Sequence, residues 1–280
     1  MPVVLSSSLK IRFESSLDSP LVADMVKRPI LMGILNITPD SFSDGGKYFQ
    51  IDSAMKHAQK LLRQKVDIID VGGESTKLGA IYVTQEEELK RIIPVIKALN
   101  ELKQSSEKDF LISVDTYKAT VAKAVLEIGA DIINDVSGLT MDLNMVSIVA
   151  SANRQIIIMH NKGIPATKPD TVSPHSSSII SEVYPWLLQQ TNYAINKGIK
   201  KENIIIDPGI GFGKTAEEDL YLIQNLKELK SLKFPILVGT SRKSFIKKIF
   251  PFDDLESKNK EIIELAIGNG ADIVRIHSQD

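Results

Sequence analysis

The stretch ILMGILNITPDSFSDGG, residues 30–46, joins two kinds of sequence. Its first part is almost wholly apolar, whereas the rest is a loop of Ser, Asp, Pro and Gly around a single aromatic residue, Phe42. An apolar run that does not alternate with polar residues is typical of a strand buried on both faces, as in a parallel sheet. Asn36 stands where the strand passes into the loop. The stretch therefore predicts a buried parallel strand that ends in a polar site.

Further runs of the same kind follow along the chain. They are DIIDVGG (67–73), FLISVD (110–115), DIINDVS (131–137), QIIIMH (155–160), NIIIDPG (203–209), PILVGTS (235–241) and DIVRIH (272–277). Helical patterns separate them. Thr84 with Glu87, and Thr215 with Glu218, have the spacing of a capping box ahead of apolar residues on one helical face. Glycines suited to ending helices precede three of the strands, at Gly129, Gly198 and Gly270.

Eight strands alternating with helices over about 250 residues suit an α/β fold of the (β/α)8, or TIM, barrel type, and an open doubly wound sheet is the alternative. The barrel is favoured because nearly every run ends in a polar group, and a barrel gathers the carboxyl ends of all its strands at one mouth. These groups are Asn36, Glu74, Ser75, Asp115, Asn134, Asp135, His160, Asp207, Ser241, Arg275 and His277. Residues 1–28 are interpreted as an N-terminal extension and residues 29–280 as one barrel domain. Because the sequence given ends at Asp280, we expect it not to include the final helix that would follow the eighth strand.

The composition narrows the classes of function. Lys and Arg (34) nearly balance Asp and Glu (35), so no basic field indicates nucleic acid. The absence of cysteine excludes disulfides, zinc–thiolate sites and thiol nucleophiles. No signal peptide and no apolar run of about 20 residues is present, so we expect a cytoplasmic enzyme that does not bind membranes.

Acids and an amide end three of the strands. Asp115, Asn134 and Asp207 in a partly buried mouth must find hydrogen-bond donors, and a ligand with an amidine-like N–H edge, such as a pterin, would provide them. Asp70 and Asp135 lie deeper or point elsewhere, and they are interpreted as structural groups bonded within the barrel.

A cationic corner is expected between the last two strands. Arg275 and His277 alternate on the eighth strand, and Arg242 and Lys243 follow the seventh, where this fold commonly binds phosphate. The nearby GIGFGKT (209–215) is not a phosphate-binding P-loop, because Pro208 stands where glycine is needed, and it is interpreted as a flexible loop.

Metal binding is expected to be limited to magnesium. The four histidines are scattered, at positions 57, 160, 175 and 277, and no two of them have the spacing of a metal site. The sequence therefore does not predict a dedicated zinc site. Mg²⁺ keeps several waters and uses substrate phosphates, so one protein oxygen, that of Asn36, would suffice.

From residue 29 to 277 the sequence resembles the dihydropteroate synthase family. The matching segments, in order, are GILNITPDSFSDGG, DIIDVGGEST with KLGA, SVDT, INDVSG, MHNKG, IDPGIGFGK, GTSRKS and RIH. The resemblance implies a pterin-binding TIM barrel of folate biosynthesis, a target of sulfonamides. It condenses 6-hydroxymethyl-7,8-dihydropterin pyrophosphate with 4-aminobenzoate to give 7,8-dihydropteroate and pyrophosphate, with Mg²⁺ as cofactor.

The resemblance also assigns roles to residues. The catalytic group is Asn36, Asp115, Lys243, Arg275 and His277. The pterin is held by Asp115, Asn134, Met159, Asp207, Phe212 and Lys243. Pyrophosphate is bound by Asn36, Lys77, Arg275 and His277, and the metal by Asn36. Aminobenzoate is bound by Phe42, Asp44, Thr76, Lys77 and Ser244. The loop after Asn36 is expected to close over aminobenzoate, so that the pterin binds first.

The chain departs from the family at Lys77-Leu78, where the family has Arg-Pro after GGEST. Lysine is a point charge without the bidentate fork of arginine, so weaker anion binding or altered substrate affinity is expected. The family's last helix helps to form its dimer, so a homodimer is left open.

Two other functions are left open. One is a methyltetrahydrofolate-binding barrel of the methyltransferase type, which would not need the NITPDSFSDGG loop, Lys243 or the RIH segment. The other is a non-catalytic pterin-binding paralogue.

Overall fold

The computed structural model describes residues 28–37, 47–76, 79–106, 108–165, 178–240, 244–251 and 254–278. Within these ranges the chain alternates strands and helices. The strands are β1 (Ile30–Asn36), β2 (Ile68–Gly72), β3 (Leu111–Asp115), β4 (Ile132–Asp135), β5 (Gln155–Met159), β6 (Ile204–Asp207), β7 (Leu237–Gly239) and β8 (Ile273–Ile276). The helices are α1 (Lys47–Arg63), α2 (Gln85–Ser105), α3 (Ala119–Glu127), α4 (Met145–Ala152), α5 (Ser178–Asn196), α6 (Ala216–Gln224), α7 (Leu226–Leu229), α8 (Ser244–Ile249) and α9 (Leu255–Gly268).

The strands form one parallel sheet that curls into a barrel. Their order is β6-β5-β4-β3-β2-β1-β8-β7, and every pairing is parallel. The two ends of this order meet, because Ile206 of β6 forms a parallel bridge with Ile236, and its N–H donates to the carbonyl of Pro235 at 2.9 Å. The predicted barrel is confirmed, and the open doubly wound sheet is wrong.

The barrel interior is filled by a layer of aliphatic side chains near the strand starts. This separate cluster consists of Ile30, Met32, Ile68, Leu111, Ile132, Ile157, Ile205, Leu237 and Ile273. Side chains alternate along a strand, so the residue two positions later faces the same interior, one layer nearer the carboxyl ends. At that layer lie the polar or charged residues Asp70, Asn134, Asp207 and Arg275, together with the apolar Met159 of β5. The alternation of side chains along each strand thus places these polar groups at the mouth of the barrel.

The outer layer follows the predicted helix signals. Thr84 Oγ1 accepts from the N–H of Glu87 at 3.3 Å, and Thr215 with Glu218 forms a complete capping box. The three predicted helix-ending glycines have positive φ, at 103° for Gly129, 99° for Gly198 and 107° for Gly270. Helix α9 packs on the barrel through buried Ile262 and Ala266. No helix in the described ranges has the length and apolar character needed to cross a membrane. The predicted extension, residues 1–28, lies outside the described residues except for Arg28.

Candidate active site

Three acceptor side chains converge at the carboxyl ends of the strands. Asp115 ends β3, Asn134 lies on β4 and Asp207 ends β6, and each is buried, at 8%, 3% and 6% exposed. Asn134 and Asp207 line one cavity together with Val136, Met159, Ile210, Phe212, Gly239 and Arg275. The structure therefore brings together the predicted pterin residues that it describes.

The cavity has apolar walls as well as polar ends. Met159, the last residue of β5, is 3% exposed and packs in a cluster with Tyr117 and Val136, against which Phe212 lies. A thioether and aromatic rings beside buried acceptors fit a flat heterocycle that hydrogen-bonds through its edge.

Arg275 is bound by two carboxylates from other strands. Its Nε donates to Asp70 Oδ2 at 2.7 Å, and its Nη2 donates to Asp115 Oδ2 at 2.9 Å. Nη2 also lies 2.6 Å from Asp70 Oδ2. The sequence predicted that this arginine would belong to a phosphate-binding corner. The structure provides carboxylate partners within the chain, and phosphate binding stays a prediction.

Asp70 lies beneath this site. It pairs in register with Ser113, one layer deeper than Asp115, and it is fully buried. Its Oδ2 also accepts from Asn134 Nδ2 at 3.2 Å. The interpretation of Asp70 as a structural group bonded within the barrel is confirmed, and the groups that it bonds are two residues of the site.

Asp135 is the other acid interpreted as structural, and the structure confirms that role. Its Oδ1 accepts from the N–H and the hydroxyl of Ser137, at 2.9 and 2.7 Å, and its Oδ2 accepts from the N–H of Leu139 at 2.9 Å. Burial raises the pKa of Asp135 to about 6, although these hydrogen bonds oppose the shift. Asp135 thus holds the turn after β4.

The charge state of Asp115 depends on its surroundings. Burial raises the pKa of Asp115 to about 7, although the positive charge of Arg275 opposes the shift. A ligand that donates hydrogen bonds to this carboxylate would favour its ionised form.

The loop after β6 is held more firmly than the sequence indicated. Asp207 Oδ1 accepts from the N–H of Gly209 at 2.7 Å, and Lys214 Nζ donates to the carbonyl of Gly209 at 2.8 Å. Lys214 is only 5% exposed, and burial lowers its pKa to about 8. The sequence predicted a flexible loop here and did not indicate these buried hydrogen bonds at Gly209. The sequence feature that could have indicated these bonds is Lys214 in GIGFGKT. A buried lysine ammonium beside acids can donate hydrogen bonds to the carbonyl groups of its own loop.

The other predicted residues fall into two groups. Asn36, Thr76 and His277, at or just after the ends of β1, β2 and β8, are half-buried. Asn36 Oδ1 lies above Gly72, where a Cβ would be 3.2 Å from it. Outside the described residues lie Phe42, Asp44, Lys77 and Lys243, as does the side chain of Ser244. Their roles, and the closure of the loop after Asn36, stay predictions.

Comparison of this chain with known proteins finds one matching family. Residues 32–277 match the family described as "Pterin binding enzyme". The dihydropteroate synthase of Synechocystis sp. is 43% identical over 257 residues, which is 91% of this chain and 86% of that protein.

Solved structures of relatives have the same fold. The dihydropteroate synthase of Anaplasma phagocytophilum with bound 6-hydroxymethylpterin-monophosphate superposes with a TM-score of 0.79 at 36% identity, covering 88% of this chain and 92% of that one. The enzyme of Xanthomonas albilineans with 4-aminobenzoic acid gives a TM-score of 0.78 at 36% identity, covering 90% and 88%.

Proposed function

The chain belongs to the pterin-binding enzyme family and, within it, to the dihydropteroate synthases, and from this membership and the barrel mouth we propose the reaction that it performs. The chain joins the methylene carbon of 6-hydroxymethyl-7,8-dihydropterin pyrophosphate to the amine of 4-aminobenzoate. The products are 7,8-dihydropteroate and pyrophosphate. The Anaplasma and Xanthomonas relatives, with a pterin monophosphate and 4-aminobenzoic acid, support this choice of substrates.

The observation that carries the proposal is one cavity lined by two buried acceptors and a cation, with a third buried acceptor bonded to that cation. Asp115, Asn134 and Asp207 come from three strands, and Arg275 reaches the same place from a fourth. The 2-amino-4-oxo edge of a pterin is rich in N–H donors, so it matches buried carboxylate and amide oxygens. Met159 and Phe212 face the flat ring, and Lys243 completes the set by family resemblance.

The pyrophosphate is held at the neighbouring corner. Arg275 and His277 come from the end of β8, and its partner strand β7 leads to Lys243. Pyrophosphate bound here competes with Asp115 and Asp70 for the guanidinium of Arg275. Lys77 completes the anion site by family resemblance.

Magnesium fits the residues present. Among the described residues, no cluster of three His, Asp or Glu side chains is placed to hold a metal, so a closed protein cage is not built from them. Mg²⁺ does not need one, because it takes one or two protein oxygens, waters and phosphate oxygens. Asn36 offers an amide oxygen at the mouth, above Gly72. The bound ion would neutralise charge on the leaving diphosphate.

The chain's own residues act by binding and electrostatics. The bond between the methylene carbon and the diphosphate oxygen breaks with its electron pair on the oxygen, and Arg275 and His277 stabilise that charge. Asp115, Asn134 and Asp207 hold the pterin while positive charge spreads over its ring. The amine of aminobenzoate attacks the carbon and loses one proton to solvent. No nucleophilic side chain is needed.

The proposal is tested with the purified chain, the two substrates and Mg²⁺. We expect equimolar pyrophosphate and dihydropteroate, measured by a phosphate-coupled assay and by mass spectrometry. Asp207→Asn should lower kcat/KM by about a hundredfold, whereas Glu127→Gln on the exposed face of α3 should not change it. Pterin binding without pyrophosphate release would indicate the non-catalytic paralogue instead.

A further inference from the structure

A buried charge cluster lies beside the mouth, outside the site described above. Lys118, three residues beyond the end of β3, is 8% exposed, and its Nζ contacts the carboxylates of both Glu74 and Glu88. The side chains of Glu74 and Glu88 are 7% and 1% exposed. Two acids and one ammonium are thus gathered in a place with little access to water.

Such a cluster is a poor source of stability. Removing charges from water is costly, and apolar residues of the same size often stabilise a fold as well or better. Burial raises the pKa of Glu88 even though Lys118 opposes the shift. The ion pairs of this cluster are therefore better explained by the parts of the chain that they hold in place.

Glu74 links the cluster to the loop after β2. It follows Gly73 at the end of that strand and precedes Ser75 and Thr76. Its Oε1 accepts from the N–H of Val83 at 3.0 Å, so its side chain joins the two ends of the segment between residues 74 and 83. Tyr117 Oη donates to the same oxygen at 3.0 Å. Lys118 binds the other oxygen, Oε2, so both oxygens of Glu74 are occupied.

The cluster also fixes the loop to the helix that follows. Glu88 lies in the first turn of α2, so Lys118 ties the start of the loop to the helix at its end. The Nζ of Lys118 is 5.2 Å from the centre of the Tyr82 ring, within the loop itself. The Lys118 ammonium thus contacts Glu74 at the start of this segment, Tyr82 near its end, and Glu88 in the helix that follows it.

We propose that Lys118 is a positioning residue that, through Glu74, sets the conformation of Ser75 and Thr76 for binding aminobenzoate. The inference rests on the proposed function for its substrate. It differs from that function in naming a residue that touches neither substrate.

The test replaces Lys118 while keeping side-chain length. Lys118→Met should raise the KM for 4-aminobenzoate by about tenfold and leave the KM for the pterin substrate within about threefold. The matched control is Lys103→Met, because Lys103 also forms an ion pair, with Asp131 at 2.9 Å, but at the opposite end of the strands. We expect the control to leave both KM values unchanged. A parallel rise in both KM values, or no rise, would overturn the proposal.

A second measurement needs no turnover. Hydrogen exchange of the Val83 amide should be at least tenfold faster in Lys118→Met than in Lys103→Met, because Glu74 is no longer held. Equal exchange in the two variants would overturn the proposal even if the proposed reaction were absent.

If Lys118→Met does not fold, Tyr117→Phe takes its place. It removes one hydrogen bond to Glu74 and should shift the aminobenzoate KM in the same direction by about threefold. An unshifted KM in Tyr117→Phe would then contradict the proposal.

Discussion

Arg275 and Asp115, 160 residues apart in the chain, form an ion pair of 2.9 Å across the mouth of the barrel. Arg275 belongs to the predicted pyrophosphate site and Asp115 to the predicted pterin site. The two predicted halves of the substrate site are therefore electrostatically coupled before any ligand binds. Asp70, which is fully buried on β2, binds the same guanidinium at 2.6 Å.

Asp70→Asn should disrupt both halves of the site at once. The amide keeps the shape and one acceptor oxygen, but it loses the negative charge that holds Arg275. We expect kcat/KM to fall by about a hundredfold. Stability should fall by about 1–3 kcal/mol, less than for a fully orphaned buried charge, because Asp115 still pairs with Arg275. Steady-state kinetics and denaturant unfolding measure the two effects. Activity within twofold of the unmodified chain would show that Asp70 does not orient the site.

Pterin affinity should depend on pH through Asp115. In the free protein burial raises its pKa to about 7, and an N–H edge binds better to the carboxylate than to the acid. Binding of 6-hydroxymethyl-7,8-dihydropterin should therefore strengthen from pH 6 to 8 and level off above that. Calorimetry in buffers of different ionisation enthalpy would detect the released proton. This ligand lacks phosphate, which keeps His277 out of the measurement. Asp115→Asn should bind weakly at every pH, and a pH-dependence that persisted in it would assign the titration to another group.

The Asp115 carboxyl also makes the unfolding free energy depend on pH. A carboxyl whose pKa is raised in the folded protein contributes stability at low pH. That contribution is complete below the unfolded pKa of about 4 and is lost as pH rises through about 7. Removing the carboxyl in Asp115→Asn should therefore make the unfolding free energy rise more, or fall less, between pH 4 and 7. Urea unfolding of both proteins at these two pH values gives the comparison.

Gly209→Ala should be much more damaging than Gly79→Ala. Both glycines have positive φ, 70° and 78°, so alanine strains the backbone equally, by about 1–2 kcal/mol. A Cβ at Gly209 would lie 1.8 Å from the carbonyl oxygen of His160, whereas one at Gly79 meets nothing within 4 Å. The difference in unfolding free energy isolates the clash, and we expect at least about 2 kcal/mol more loss at Gly209. Equal losses would mean that the loop after β6 can shift to admit the methyl group.

Asn36→Ala should increase the requirement for magnesium. The substitution removes the amide oxygen proposed to meet the ion, so we expect the Mg²⁺ concentration for half-maximal activity to rise by about tenfold. Excess EDTA should abolish activity in the unmodified chain, and added Mg²⁺ should restore it. As a control, Asp67→Asn at the opposite end of the barrel should leave the magnesium dependence unchanged, since Asp67 binds Arg28 there. An unaltered requirement in Asn36→Ala would exclude this residue as the protein ligand.

The strand pattern was enough to predict the fold and the order of the site along the chain. Runs such as those ending in Asp115 and Asp207 were apolar on both faces, which indicated parallel strands, and each is a strand of the barrel. The position of polar residues at strand ends also placed Asn134 at the mouth, whereas Met159 was assigned only by the family resemblance. These inferences succeed because burial on both faces and the alternation of side chains are properties of a few consecutive residues.

What the tertiary structure alone decided is which charges meet. Asp70 and Arg275 are 205 residues apart, and Lys118 is 44 residues from Glu74. The bridge between Ile206 and Ile236 closes the barrel, and the fixed register places β8 beside β1, with β2 on the far side of β1. A buried charge takes the partner that lies within hydrogen-bond reach, because an unpaired charge away from water is too costly. Local sequence can therefore show that Arg275 or Lys214 needs partners, but only the closed barrel determines which groups they are.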